Sequence, residues 1–142
     1  MLKAKEIMST SVISAKRTTE IYDVIKLLIE NNITGVPVVN DNMTLVGIIT
    51  EKDVLELLYN FEDKAQAVEN YMAKDVISFD HEDDLVKICD SFLANNFRRV
   101  PILAEGKVVG IISRKDIIGY ILKRRQKDKV GKQKSSKAVA SR

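Results

Sequence analysis

Apolar residues recur along this chain at two periods, and the switch from one to the other happens twice in the same order. Ile21, Val24, Ile25, Leu28 and Ile29 fall at i, i+3, i+4, i+7 and i+8, the spacing that lines one face of a helix. Leu85, Ile88, Cys89, Phe92 and Leu93 repeat that stripe. After each stripe come short runs rich in β-branched residues, VPVV and LVGIIT in the first half, VPIL and VVGIIS in the second. Such runs read as strands of a small sheet covered by helices. Each half is therefore predicted to hold a short strand near VIS (Val12 or Val76 onward), an amphipathic helix, two strands joined by a turn, and a closing helix.

The halves are copies. At an offset of 64, Met8 meets Met72, Val12 to Ser14 meet Val76 to Ser78, Asn31 and Asn32 meet Asn95 and Asn96, and Val36 and Pro37 meet Val100 and Pro101. The turn DNMT is one residue longer than its counterpart EGK, so the offset then drops to 63, pairing Thr50 with Ser113 and Asp53 with Asp116. This predicts an α+β fold of two pseudo-symmetric β-α-β-β-α repeats, residues 7–60 and 71–122, with 61–70 as linker. Units of about 50 residues are marginal alone, so one shared hydrophobic core is expected.

Composition narrows the picture. The chain is 45% hydrophobic and 30% charged with two prolines, as in a globular protein. Cys89 is the only cysteine and stands where the first copy has Ile25, so it reads as a core hydrophobe, and no disulfide or zinc ribbon can be built from it. His81, the only histidine, matches Arg17 in a polar loop and reads as a surface residue, which argues against a metal site. The N-terminus lacks the apolar stretch of a secretory signal and no run reaches the length of a membrane span, so a cytoplasmic location is expected. The formal charge of +3 divides unevenly: residues 123–142 hold nine basic and one acidic residue, a balance of +8, leaving −5 on the rest. With apolar periodicity lost after Leu122, 123–142 is expected to be a disordered basic tail. No nucleophile–base pair and no phosphate-binding GxxxxGK[ST] loop is present, so no catalytic residue is assigned and no enzyme is expected.

The VIS segments, the helices ending at Asn-Asn, GVPVV with RVPIL, and GIITEKD with GIISRKD together resemble a pair of cystathionine-β-synthase (CBS) domains, the arrangement called a Bateman module. The resemblance covers residues 7 to about 122. It implies a sensor of AMP, ADP, ATP or adenosyl compounds, dimeric, that reports ligand status to an attached or associated protein. The ligand is then regulatory and not a catalytic cofactor.

Thr50 with Asp53 and Ser113 with Asp116 admit two readings. Each is a capping box, a hydroxyl at the start of a helix with a carboxylate three residues on. Each also suits a sugar, because an ionised Asp can accept from both ribose hydroxyls. The resemblance implies the second role, with Ile13 or Ile77 and the segments Val36–Pro37 and Val100–Pro101 forming the adenine slot. There being no tryptophan, stacking is expected to rest on aliphatic faces. Arg98 and Arg99 stand where the family places a basic pair that meets phosphate, while the first copy has Thr34 and Gly35 there. The resemblance, in which the two sites face each other across the pseudo-dyad, implies a primary nucleotide site that combines Thr50 and Asp53 with Arg98 and Arg99, and a weaker one in which Ser113 and Asp116 face Thr34 and Gly35. Lys52 and Lys115 are equally suited to phosphate or to solvent. A second functional reading gives the work to the tail, binding nucleic acid or an anionic surface. The tail has no aromatic residue for base stacking, so a solubilising role is the preferred reading.

Overall fold

A computed structural model describes residues 2–60 and 64–135, with side chains through Lys129. The first half runs β1 (Ala15–Lys16), α1 (Ile21–Glu30), β2 (Gly35–Val39), β3 (Leu45–Thr50) and α2 (Glu51–Leu55), the last continued by a 3-10 turn, Glu56–Leu58. The second half runs β4 (Phe79–Asp80), α3 (Leu85–Ala94), β5 (Arg99–Ala104), β6 (Lys107–Ser113) and α4 (Arg114–Ser135). Each half is the expected β-α-β-β-α unit with a three-stranded sheet, β1-β2-β3 and β4-β5-β6. In each the first strand is parallel to the second and the second antiparallel to the third. The registers repeat as well, Ala15 opposite Val38 answering Phe79 opposite Ile102.

Four expectations need correction. The first strands lie just after VIS, at Ala15–Lys16 and Phe79–Asp80, because it is these residues that find parallel partners, Val38 and Val39 in β2 and Ile102 and Leu103 in β5. The buried residues form two clusters instead of one core. Ile21, Val24, Leu28, Val36, Val38 and Ile49 pack in the first half, and Leu85, Ile88, Phe92, Val100, Ile102 and Ile112 in the second. The helical stripes are narrower than predicted, since Ile29 and Leu93 end them exposed, at 74% and 83%. Finally, α4 does not stop near Leu122; its backbone is helical to Ser135. Lys, Arg and Gln are strong helix formers, and cations near a helix C-terminus oppose its dipole favourably, so loss of apolar periodicity did not end the helix. Residues 136–142 of the expected tail lie outside the described residues.

Two clusters of this size persist because each is completed by a segment from elsewhere in the chain. Ala4, fully buried, belongs to the second-half cluster, and its equivalent Val68 to the first-half cluster. The segment ahead of each repeat thus crosses to the other sheet. Ser9 and Ile111 exchange backbone hydrogen bonds of 2.9 and 3.0 Å, and Ala73 and Ile48 exchange a pair of 2.9 Å each. Met8 then lies over Gly110 and Met72 over Gly47, both glycines lying where a Cβ would collide with the methionine. The stretch expected to be a linker therefore carries a core residue, Val68; its residues 61–63 lie outside the described residues. Among the described residues no helix is long and apolar enough to cross a membrane.

Candidate functional site

Both strand-to-helix junctions are capping boxes. At the first, Asp53 Oδ2 accepts from the Thr50 N–H at 2.9 Å and from the Thr50 hydroxyl at 3.0 Å. At the second, Asp116 Oδ2 accepts from the Ser113 N–H at 2.8 Å, and the Asp116 N–H donates to Ser113 Oγ at 3.2 Å. All the bonds drawn by each carboxylate fall on a single oxygen, so capping and ligand binding are compatible, the other oxygen being the one to offer.

The residues expected to bind ligand gather at two clefts. One, of about 230 Å³, opens between the sheets and is lined by Ile13, Pro37, Arg99, Ser113 and Asp116, together with Ser9, Ser11, Ile33, Gly35 and Ile111. The other, of about 310 Å³, is lined by Thr50, Lys52, Arg98 and Arg99, with Thr34, Gly35, Ile48, Glu51, Asn96 and Phe97. The expected grouping of Thr50 with Arg98 and Arg99 is present. Asp53 is not on that wall, and Thr34 lines the Thr50 cleft instead of facing Ser113. Arg99 and Gly35 line both clefts, so Arg99, unlike Arg98, is not the property of one site. Val36, Val100 and Pro101 are buried in the sheets behind the clefts, and Ile77 is half-exposed away from both. Strand alternation explains Val36, since a Val-Pro pair presents only one member to a given face and Pro37 is the one on the first cleft. Lys115 is exposed and lines neither cleft.

Arg99 is the unusual group. Its Nε is buried with no hydrogen-bond partner. Burial pushes its guanidinium below the ordinary arginine range, with the Asp116 carboxylate pulling the other way. An unmade buried donor costs about 1–3 kcal/mol, so an acceptor arriving in either cleft meets a group with unspent capacity.

Several residues of the two clefts were missed by reasoning from sequence. Phe97 supplies an aromatic surface to the second cleft, where only aliphatic faces were expected; its position directly before the Arg pair was the available signal. Ser9 and Ser11 reach the first cleft only because the leading segment crosses over, which local patterning does not reveal. Arg114 positions the wall: its Nε donates to the Phe97 carbonyl at 3.0 Å and its Nη2 to those of Phe92 and Asn95 at 2.9 and 2.8 Å. These bonds satisfy carbonyls left free at the end of α3 and hold the turn that delivers Arg98 and Arg99.

The chain's relationships agree with this geometry. The family model for the CBS domain matches residues 4–60 and 68–123. An uncharacterized protein of Methanocaldococcus jannaschii, MJ1225, is 35% identical over 114 residues, which is 80% of this chain and 41% of that protein. The chain thus spans less than half the length of that relative. Among solved structures, CBSX2 in complex with AMP, the Arabidopsis thaliana CBS-pair protein, has a TM-score of 0.78 at 25% identity, covering 88% of this chain and 99% of that one. The CBS domain pair of the protein MJ0100 in complex with 5-methylthioadenosine and S-adenosyl-L-methionine has a TM-score of 0.76 at 27% identity, covering 87% and 98%. With two matched repeats, their order, and a fold shared with CBS pairs all in agreement, this chain belongs to the CBS domain family, as a tandem pair of CBS domains.

Proposed function

We propose that this chain is a regulatory module that binds an adenosine nucleotide or adenosyl compound, works as a homodimer, and transmits ligand status to a protein it regulates, without catalysing a reaction itself. The observation that carries the reading is the first cleft. It joins an apolar slot (Ile13, Pro37, Ile33, Ile111) to a hydroxyl–carboxylate pair (Ser113, Asp116) and to the underbonded Arg99. Those are the partners an adenine face, a ribose and a phosphate require in turn. The AMP bound by CBSX2 and the adenosyl compounds bound by the MJ0100 pair support that ligand class. The exposed apolar residues on the helices support the homodimer.

In this reading the first cleft is the primary nucleoside site, the reverse of the order expected from sequence, because Asp116 is on its wall and Asp53 is not on the wall of the other. The second cleft, with Lys52, Arg98 and Arg99, favours anionic groups over the sugar. Ligand binding shifts the packing of the halves only as far as its affinity differs between the two arrangements.

A thermal-shift series with AMP, ADP, ATP, S-adenosylmethionine and 5-methylthioadenosine tests the ligand class. A ligand at 100 times its Kd stabilises by about 2.7 kcal/mol, and no shift with any of the five overturns the reading. Calorimetry on the bound ligand then tests the site. Asp116→Ala should weaken binding about 10- to 150-fold, the equivalent of one lost charge-assisted hydrogen bond, and Asp53→Ala by less than tenfold.

A further inference from the structure

Two stretches of α4 have different surroundings. Its first turns pack on the body, with Ile117 buried in the second-half cluster and Tyr120 against it, whereas every residue from Ile121 through Lys129 is exposed. Exposure over two successive turns leaves all sides of the helix in solvent, so α4 runs out beyond the body it starts from. This extension, 123–135, carries Lys123, Arg124, Arg125, Lys127, Lys129, Lys132 and Lys134 against Asp128, a balance of +6. Among the described residues no ion pair takes up any of these charges. Lys123 and Lys127, and likewise Arg125 and Lys129, stand four apart, the spacing at which like charges repel along a helix. The extension therefore calls for a counter-charge from outside the chain.

A disordered segment of this composition would only solubilise, but a helix sorts its charges by direction. At about 100° per residue, positions 123, 127 and 134 fall within about 40° of one another, and positions 125, 129 and 132 form a second row about 180° away. Both rows are wholly basic. Of the two arcs between them, one is neutral, with positions Gln126, Val130 and Gln133, and the other holds Asp128, the sole acid of the extension, with Arg124. A helix about 10–12 Å across fits the B-DNA major groove, about 12 Å wide, and basic rows on opposite flanks then meet the two phosphate walls. The neutral arc turns inward and Asp128 outward. Other polyanions match this pattern less well. The major groove of A-form RNA is too deep and narrow, a single strand needs aromatic faces that the extension lacks, and a membrane needs an apolar face where the second basic row stands.

We propose that the extension of α4 binds double-stranded DNA along the major groove, with the row of Lys123 and Lys127 on one backbone and the row of Arg125 and Lys129 on the other. The test is fluorescence anisotropy of the full chain with a labelled DNA duplex of about 20 base pairs and mixed sequence. With six phosphate contacts, affinity should fall about 1,000-fold between about 50 and 200 mM salt. Lys123→Gln and Arg125→Gln should each weaken binding about tenfold at about 100 mM salt and lower the slope against log salt by about one. Arg124→Gln, on the outward arc, should do neither. Equal losses at the three positions would mean undirected charge and overturn the groove arrangement. Gln126→Pro keeps every charge but breaks the helix within its exposed part, and should bind about tenfold more weakly than Gln126→Ala. Equal affinities for these two variants would overturn the role of the helix. No binding at about 50 mM salt overturns the proposal outright. Tighter binding to single-stranded DNA, to duplex RNA, to polyglutamate or to phosphatidylserine vesicles than to the duplex overturns DNA as the partner.

Discussion

Arg99 is where the chemistry of this molecule concentrates at the scale of a single side chain. It lines both clefts, carries a buried Nε–H without a partner, and feels the Asp116 carboxylate. A guanidinium so placed discriminates a phosphorylated ligand from its nucleoside, because only the phosphate can take up the unused donors. Arg99→Gln should therefore weaken AMP binding about 10- to 150-fold while leaving adenosine affinity within about threefold, read by calorimetry with both ligands. Equal losses for AMP and adenosine would assign Arg99 to the architecture of the cleft wall instead. The arginine pair was legible in the sequence because the other copy has Thr34 and Gly35 in its place. That Arg99 serves two clefts was not legible, since it depends on how β5 sits against β2 across the gap between the sheets.

Among the elements, those set by local patterning were legible and those set by distant partners were not. The helices α1 and α3, the paired strands after them and the capping boxes at Thr50 and Ser113 follow from spacing within a dozen residues. The first strands begin three residues after Val12 and Val76 because their partners come from β2 and β5, and the last helix was cut short because its final turns are held by propensity without an apolar face. The VGII glycines show the same division. Their repetition was plain from the sequence, but their reason is the segment that crosses over them. A Cβ at Gly47 would lie 2.8 Å from the backbone carbonyl oxygen of Ala73, whereas the atoms nearest a Cβ at Gly110 are all in the Met8 side chain. Backbone cannot swing aside as a methionine can, so Gly47→Ala should destabilise by about 1–3 kcal/mol and Gly110→Ala by less, measured by denaturant unfolding.

For the whole molecule, the exchange of leading segments ties the two halves together, and at the N-terminal end the tie is partly electrostatic. Glu82 bonds to both Lys3 and Lys5, and those hydrogen bonds draw its carboxyl down to about 2 from 4.5. His81, Asp80, Asp83 and Asp84 stand beside it. With the folded value below the unfolded one, the stabilisation is complete above pH 4.5 and is lost as pH falls through about 2. Because the pairs are solvent-exposed and screened, the difference in melting temperature between the natural chain and Glu82→Gln should be small at about pH 5 and close toward pH 2, as followed by circular dichroism. The crossing has a further consequence for what counts as a part. The period written in the sequence and the unit that folds are out of phase by one leading segment. A cut between the repeats would not yield two smaller proteins; it would leave each half holding the keystone of the other, Ala4 on one fragment and Val68 on the other, so this protein can be halved on paper but not in solution.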